Sequence, residues 1–393
     1  TTADFALTAS TIDLDAVTVE AEYFRRNMDA PVSSQALSYE EIRRSPGGLE
    51  DVVRAIAVLP GVVQASGGRN DLIVRGGAPS ENLYVIDNLE VPNINHFGTQ
   101  GATGGPLSFV NLDFVRDITF STGGFGARYG DKLSSVLNIQ LKDGREDRIG
   151  GKATISASQF GLNTEGPIGE SGSFLFSARR SYLDFIFKAA GFGFVPEYWD
   201  FLGKATVALD RNNELSFLAI GALDDIRFFN DTEDKRYDNS RILGSSQDQY
   251  VSSVSWRHLI RDGFFTVSLG RSFVTYDYLQ SDSLLRPLFT SASKERETSL
   301  RADAVILLDR SYELSFGAQA KLLRTGGTLF VAPNPYFPLP SLPDRDWDTT
   351  GAKVSAYAQL AHTFFDRLQA TIGGRLDYFG MIDKPLAAGP RAS

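Results

Sequence analysis

Residues 297–324 read ETSLRADAVILLDRSYELSFGAQAKLLR, and apolar side chains alternate with polar ones through most of this stretch. In its second half, Leu314 and Phe316 fall on one face of an extended strand, whereas Ser315 and Gln319 fall on the other. Alternation over ten or more residues is typical of membrane β-barrel strands, since strands of soluble sandwiches are usually about five or six residues long. The stretch therefore predicts two long antiparallel strands joined by a short turn.

The same alternation continues through residues 149–393, which we interpret as the N-terminal half of a transmembrane β-barrel. About 11 antiparallel strands of an expected 22 are predicted. They cover residues 150–157, 160–167, 173–185, 198–209, 214–223, 248–260, 264–279, 295–308, 312–324, 352–364 and 368–379. Short turns alternate with long polar connections over residues 187–197, 224–247, 280–294 and 325–351. Outer-membrane barrels have short periplasmic turns and longer extracellular loops, so the long connections are predicted to face outward.

Residues 30–148 have a different pattern and predict a compact α+β domain. Apolar residues at spacings of three and four indicate a helix over 48–59, which ends at a Pro-Gly pair. The dipeptide Asp87-Asn88 suits a tight hairpin turn. Short strands are expected over residues 71–75, 82–86, 115–120 and 134–141.

Composition argues against several classes of function. The chain has 393 residues, a net charge of −9, no Cys and three His. The acidic balance disfavours a nucleic-acid partner, and the absence of thiolates disfavours a zinc site. No run of about 18 apolar residues predicts a transmembrane helix. We expect no catalytic site, no metal, no cofactor and no enzymatic activity.

The strand count predicts that the sequence continues beyond this chain. Bacterial barrels have an even number of strands, whereas about eleven are counted. A domain of about 130 residues is roughly 35 Å across, which fits a barrel of 22 strands but not one of eleven. The chain begins without a Met or a leader-like segment, so we expect truncation at both ends.

Two motifs carry a resemblance to a known family. Residues 72–93, LIVRGGAPSENLYVIDNLEVPN, and residues 123–141, GGFGARYGDKLSSVLNIQL, resemble the plug domain of TonB-dependent outer-membrane receptors, especially the Bacteroidetes-type branch. The resemblance implies an α+β plug domain followed by barrel strands in the bacterial outer membrane. It also implies import of a scarce siderophore, cobalamin, glycan or peptide, driven by proton-motive force through a TonB-type inner-membrane complex. Outer-membrane lipid and, for a glycan, an accessory surface lipoprotein are further implied partners.

The N-terminal segment, residues 1–29, contains a stretch that is similar to a TonB box. An extended, β-branched segment can add as a strand to the sheet edge of a partner, and pulling on it would act on the domain that follows. The stretch comprises Leu14, Asp15, Ala16, Val17, Thr18 and Val19.

Five residues of the N-terminal domain are candidate contacts. Arg75 and Arg128 resemble plug arginines that dock against barrel carboxylates, because a guanidinium stays charged and can bind both carboxylate oxygens. The alternative is that both are solvated. Asn95, His96 and Phe97 lie in a polar loop that would face outward and contact the ligand; the alternative is that the histidine packs within the loop.

Two features of the second half have competing interpretations. The acidic run over 224–238 is interpreted as a solvated extracellular loop, with divalent-ion binding as the alternative. Trp199, Trp256, Tyr276 and Tyr278 are expected in the aromatic belts at the membrane interfaces, with sugar stacking as the alternative.

Two other functions stay open at the level of sequence. A passive porin or adhesin would form a barrel without a folded N-terminal domain, which the pattern of residues 30–148 disfavours. A soluble β-rich glycan-binding protein would need polar groups that converge in a pocket, and the sequence offers no such group of residues.

Overall fold

The computed structural model describes residues 33–45, 51–156, 159–333, 345–365 and 368–393. Two units follow each other along these residues. The first, called the inner unit, ends at Leu141, and the second, called the wall, begins at Gly150.

The inner unit is built around a five-stranded sheet. Its helices are α1 (Tyr39–Arg43) and α2 (Val52–Ile56), and 3-10 turns cover Pro79–Glu81 and Leu112–Phe114. Its strands are β1 (Ser34–Ser38), β2 (Val62–Gln64), β3 (Leu72–Val74), β4 (Asn82–Ile86), β5 (Leu89–Val91), β6 (Asn95–His96), β7 (Leu107–Ser108), β8 (Val115–Ser121) and β9 (Ser135–Leu141). The main sheet has the order β1-β8-β9-β4-β5, while β2 pairs with β3 and β6 pairs with β7.

Local sequence explains where these elements begin and turn. Helix α2 begins at Val52 because the Asp51 carboxylate accepts the first free backbone N–H groups, so the helix is shorter than the predicted 48–59. Asp87 and Asn88 have φ values of 44° and 69° and join β4 to β5 in a two-residue turn. Positive φ at both turn residues matches the right-handed twist of the strands, and the predicted hairpin is confirmed.

In the described residues, the wall is one antiparallel sheet of twelve strands that pair in sequence order. They are β10 (Gly150–Ile155), β11 (Gln159–Ile168), β12 (Gly172–Ser181), β13 (Phe194–Ala208), β14 (Asn213–Phe228), β15 (Gly244–Ile260), β16 (Gly263–Ser281), β17 (Pro287–Leu307), β18 (Tyr312–Val331), β19 (Arg345–Phe364), β20 (Leu368–Phe379) and β21 (Leu386–Ala392). Helices α3 (Leu183–Ala189) and α4 (Glu233–Asn239) lie in two of the longer connections. In the described residues, no helix has the length and apolarity needed to cross a bilayer.

Strand β21 was not among the eleven predicted strands. Its sequence, LAAGPRA, contains Gly389 and Pro390, which weaken a strand pattern. Both are tolerated because β21 pairs only with β20 and forms an edge of the described sheet. With twelve strands the count is even, so the parity argument made from the sequence no longer applies.

The longest strands extend well into regions predicted to be loops. Strands β16 to β19 have 19 to 21 residues, about twice the 9–11 that cross a bilayer. Only residues 282–286 separate β16 from β17, where a connection over 280–294 was predicted. Asp224 is buried within β14, so the solvated-loop interpretation of the acidic run is wrong for this residue.

The two faces of the wall meet different surroundings. On the inward face, Leu202, Leu218 and Ile220 join a buried cluster with Ile94 and Phe109 of the inner unit. The outward face exposes large apolar side chains, including Leu269, Leu300, Leu322, Val354, Ile372 and Leu376. The inner unit therefore packs against the inward side of the wall, and an apolar band faces away from it.

The four aromatic residues assigned to interfacial belts divide between these faces. Tyr276 is buried and the hydroxyl of Tyr278 contacts the inner unit, so the belt prediction is wrong for both. Asp200, next to Trp199, is buried on the inward face, so strand alternation directs Trp199 outward. Trp256 shares the outward face of β15 with the exposed Tyr250 and Val254.

Ala318 offers a test of the outward apolar face, because it lies exposed in the middle of β18, directly opposite Ala302. We expect Ala318→Arg to destabilise the protein in lipid by about 2–4 kcal/mol, since a charge on the lipid side loses its hydration. Ala318→Leu is the control and should fold as well as the wild type. Urea titration of vesicle-folded protein measures the difference, and equal stability of the two variants would contradict the assignment of this face.

Candidate functional site

The contact between inner unit and wall contains several ion pairs, which include Lys152–Asp113, Lys204–Asp87 and Lys353–Asp131. Three further charged contacts are formed by His96, Glu90 and Arg128. The first is His96, at the end of β6. Its Nδ1 atom lies 2.5 Å from Oδ1 of Asp224 on β14, and its Nε2 atom lies 3.2 Å from Oδ2 of Asp200 on β13. Each of the three side chains is at most 2% exposed. A neutral imidazole carries one N–H, so two carboxylate partners require the protonated form of His96.

The surroundings of His96 stabilise this charge. Burial alone would lower the pKa of His96, but the carboxylates of Asp224 and Asp200 outweigh it and raise the pKa to about 9. The ring stacks on Tyr198 at a centroid distance of 4.2 Å, and Nε of Arg179 lies 2.7 Å from Asp200. The cluster therefore holds two carboxylates against two cations and ties β6 to two wall strands.

The rest of the loop between β6 and β7 also contacts the wall. The backbone N–H of Phe97 donates to Asp224 at 2.6 Å. Further along the loop, the Gln100 backbone N–H donates to the Tyr278 hydroxyl, and its side-chain amide donates to Glu295 at 2.9 Å. The loop is thus bonded to the wall at several points.

These contacts correct part of the ligand-contact hypothesis. Asn95 and His96 are both 0% exposed, and the Asn95 side chain is used within the inner unit, where it bonds to Asn70, Asn93 and the Thr103 carbonyl. Neither residue can touch a ligand in this conformation. Phe97 is partly exposed, and its ligand contact stays a prediction.

The second charged contact is Glu90 on β5. Its carboxylate lies 2.5 Å from Nζ of Lys321 and 3.5 Å from Nη1 of Arg301, and it accepts a hydrogen bond from Gln319 at 3.1 Å. Burial alone would raise the pKa of Glu90, but the two cations outweigh it and lower the pKa to about 2. One acid of the inner unit therefore joins strands β17 and β18.

The third charged contact is Arg128, one of the two arginines singled out in the sequence. Its Nη2 atom lies 3.4 Å from Asp303 on β17. Asp303 also binds Arg301 at 2.6 Å and the Tyr357 hydroxyl at 2.7 Å. From β20, Nη1 of Arg375 donates to the Arg128 carbonyl at 2.9 Å. Asp303 is therefore the wall carboxylate that contacts Arg128, and the docking role of Arg128 stays a prediction.

Arg75 lies elsewhere. It is exposed in a turn with a φ of 50°, and its backbone N–H donates to the Gly61 carbonyl. Within the described part of the chain, its side chain makes no ion pair with the wall. Its docking role stays a prediction, and the TonB-box-like residues 14–19 lie outside the described residues.

A cavity of about 450 Å³ lies between the inner unit and strands β16 to β18. It is lined by charged and polar groups, including Tyr84, Thr103, Lys132, Tyr276, Glu297 and Lys321. No group of three or more His, Asp or Glu side chains in the described residues is placed to hold a metal ion. The polar lining of this cavity suits the binding of a polar molecule.

The inner unit matches a known domain. The family model described as the TonB-dependent receptor plug domain matches residues 26–135. A curated relative, the TonB-dependent transporter Oar of Myxococcus xanthus, is 30% identical over 105 residues, which are 26% of this chain and 9% of that protein. The matched region is thus a small part of the relative's length.

Solved structures share the fold of both units. A mutant of the ferric enterobactin receptor PfeA from Pseudomonas aeruginosa superposes with a TM-score of 0.68 at 16% identity, covering 92% of this chain and 59% of that one. For the siderophore receptor PirA from Acinetobacter baumannii the TM-score is 0.65 at 13% identity, with coverages of 92% and 58%. The copper transporter OprC gives 0.67 at 14% identity, with coverages of 93% and 61%. The chain spans about three fifths of these proteins, and its twelve-stranded wall corresponds to part of their barrels.

His96 makes the docking of the inner unit dependent on pH. Its pKa is raised from 6.5 to about 9 in the folded protein, so its stabilisation is complete below about pH 6.5 and is lost as the pH rises through about 9. We expect amide hydrogen exchange in residues 93–105, corrected for intrinsic rates, to accelerate between pH 6.5 and 9.5. His96→Asn should remove this dependence, and a flat wild-type profile would contradict it.

Glu90→Gln tests the second contact. It leaves Lys321 without its nearest counter-charge and removes one of the two carboxylates around Arg301, so we expect a loss of about 2–5 kcal/mol in unfolding free energy. The control is Glu214→Gln, which breaks an exposed pair with Arg257 and should cost about 0–1 kcal/mol. Chemical denaturation measures both, and similar losses for the two variants would show that Glu90 does not anchor the inner unit.

Proposed function

Since this chain is the plug domain and part of the barrel of a TonB-dependent outer-membrane receptor, we propose that the protein imports a scarce ligand across the bacterial outer membrane. Proton-motive force is relayed by a TonB-type inner-membrane complex that binds the TonB-box-like segment at residues 14–19. The complex pulls on the plug, which shifts from the wall and lets the bound ligand pass. No bond in the ligand is broken.

The ion pairs of the plug–wall contact, which accompany the apolar cluster of Leu202, Leu218 and Ile220, are the observation that supports this proposal most directly. His96, Glu90 and Arg128 each make ion pairs to the wall. Hydrogen bonds and ion pairs can be exchanged for bonds to water at a modest net cost, whereas a large apolar seal resists opening. A plug held in this way blocks the lumen and can still be moved by a pulling force.

The ligand is proposed to be a small or medium-sized polar compound. Relatives of the same fold are named as receptors for ferric enterobactin and other siderophores and as a copper transporter. A siderophore is therefore the first candidate, followed by cobalamin, a glycan or a peptide. For a glycan, an accessory surface lipoprotein would be a further partner.

Deletion of residues 15–19 tests the energy coupling. We expect cells that carry this deletion to lose uptake of whichever candidate ligand the wild type imports, while the surface still binds the ligand with unchanged affinity. Deletion of residues 5–9, which has the same length, is the control and should leave uptake intact. Labelled ligand measures both steps, and unchanged uptake after the first deletion would remove the coupling assignment.

A conductance measurement separates active import from passive diffusion. The full-length protein in liposomes is expected to be closed, because the plug occupies the inward side of the wall. Steady ion conductance would instead favour a passive pore.

A further inference from the structure

The cavity between the inner unit and strands β16 to β18 has a described lining that is close to electrically neutral. Its charged groups are four carboxylates and five cations, namely Glu90, Asp131, Glu295, Glu297, Lys132, Arg296, Lys321, Arg324 and Lys353. A further carboxylate, Asp348, binds Arg324 at 3.0 and 2.6 Å, so positive and negative groups are equal in number. A ligand with a net charge would enter this confined space without an excess of the opposite charge, which disfavours its binding.

Several charged groups of the lining are paired with each other and still offer hydrogen-bond acceptors. Nζ of Lys321 lies 2.5 Å from Glu90 and 3.5 Å from Glu297, and Nζ of Lys353 lies 3.1 Å from Asp131. The two oxygens of a carboxylate provide about four acceptor sites, so an ion pair leaves some of them free. Glu297 can therefore accept hydrogen bonds from the hydroxyl groups of a ligand and keep its ion pair.

Two hydroxyl groups on the inward face of the wall have no hydrogen-bond partner among the described residues. They belong to Tyr276 on β16 and Ser293 on β17, which are directly opposite each other in the register. Tyr276 lines the cavity and is 3% exposed, while Ser293 is 2% exposed. A buried hydroxyl without a partner costs free energy, and a ligand that bonds to it recovers part of this cost.

An indole ring lies beside these hydroxyls on the same inward face. Ser293 is opposite Gly327 on β18, and Gly327 is opposite Trp347 on β19. The Trp347 ring lies across Gly327, because a Cβ atom at Gly327 would be 2.7 Å from Cζ2 and 2.8 Å from Cη2 of the ring. Thr325, the inward residue next to Gly327 on β18, lines the cavity. The partly exposed ring therefore offers an apolar surface at the margin of the cavity.

The opposite side of the cavity belongs to the inner unit. Gly101 and Thr103, from the loop between β6 and β7, are part of the lining, and the Gln100 side-chain amide donates to Glu295 of β17 at 2.9 Å. A displacement of the inner unit away from the wall would separate these two sides. Binding in the cavity and movement of the inner unit are therefore coupled through the same contacts.

We propose that this cavity binds a neutral, hydroxyl-rich ligand of the oligosaccharide class, and that Tyr276, Ser293 and Trp347 determine this specificity. A sugar ring carries hydroxyl groups around its rim and apolar C–H groups on its faces. The rim matches the hydroxyls and carboxylates of the lining, and a face matches the Trp347 ring. The volume of about 450 Å³ falls within the range of roughly 300–1,000 Å³ that is usual for ligand sites.

The inference rests on the proposed import function and selects the glycan among the candidate ligands. The relatives that are named as siderophore receptors share the fold at 13% to 16% identity, which leaves the ligand free to differ. A ferric catecholate complex is an anion, and the described lining has no excess of positive charge to balance it.

The test measures binding to the full-length protein in detergent by isothermal titration calorimetry. The neutral probes are maltotriose, cellotriose, laminaritriose and mannotriose. Trigalacturonate is the anionic sugar of the same length, and acetylated, amidated trialanine is a neutral peptide. We expect a neutral trisaccharide to bind at millimolar concentration or below, at least about tenfold more tightly than the anionic sugar and the peptide. Binding of none of the neutral sugars, or equally tight binding of the anionic sugar or the peptide, would overturn the proposal.

Variants locate the site. Tyr276→Phe and Ser293→Ala each remove a hydroxyl that no described residue bonds, so both should fold as well as the wild type and weaken sugar binding about threefold to tenfold. Trp347→Ala should weaken it about tenfold or more through the lost apolar surface. The matched control is Tyr250→Phe, which removes a hydroxyl from the outward face of β15 and should leave the affinity unchanged. Resistance of the folded barrel to detergent at room temperature shows that each variant folds, and full affinity in all three cavity variants or an equal loss in the control contradicts the assignment.

Failure of this inference and failure of the import proposal give different results. Uptake that persists after deletion of residues 15–19 removes the energy coupling but leaves the affinity of the purified protein for the sugar as it was. A purified protein that binds no neutral trisaccharide, from cells whose uptake of another ligand requires residues 15–19, removes the sugar specificity alone.

Discussion

Successive side chains along each wall strand point to opposite faces of the sheet, and this alternation determines how the wall packs against the inner unit. An extended strand must present alternate side chains to opposite sides, so one face of every wall strand is committed to the outside and the other to the inner unit. The outward face is apolar over its middle, and the inward face carries Asp200, Asp224, Arg301, Asp303 and Lys321 among its apolar residues. A slip of one residue in any strand would exchange these sets, placing charges in lipid and leaving the inner unit without partners. The same constraint therefore fixes strand register and docking.

Sequence patterns predicted those elements of secondary structure that are determined by residues close together in the sequence. The hairpin at Asp87 and Asn88 follows from two residues that tolerate positive φ, and the wall strands follow from alternation within a single segment. Strand β21 was missed because Gly389 and Pro390 interrupt the alternation of apolar and polar residues, and because its pairing depends on the preceding strand. The extent of β16–β19 was underestimated because beyond the bilayer the outward face becomes polar, and a polar strand cannot be told from a loop by hydropathy.

The candidate site could be predicted only in part, because its partners are distant in sequence. His96 and Asp224 are separated by 128 residues, and nothing in either local sequence indicates the other. Arg128 was singled out from its motif, but its partner Asp303 became identifiable only through the fold. One signal was present: Arg301, Asp303 and Lys321 interrupt otherwise ordinary strands at inward positions, and a charge on the inward face needs a partner from the inner unit or a neighbouring strand.

The contacts of His96, Glu90 and Arg128 lie on different parts of the inner unit, and this distribution affects how a pull from the N-terminal end would be transmitted. β1 is at the edge of the main sheet and pairs with β8, which pairs with β9, and β9 runs parallel to β4. Force entering at β1 therefore crosses four strand pairs before it reaches β5 and Glu90, while Arg128 lies in the segment between β8 and β9. His96 lies on a separate small sheet of β6 and β7. A displacement that breaks the Arg128 contact can thus leave His96 in place, so partial opening of the plug costs less than release of all the ion pairs together.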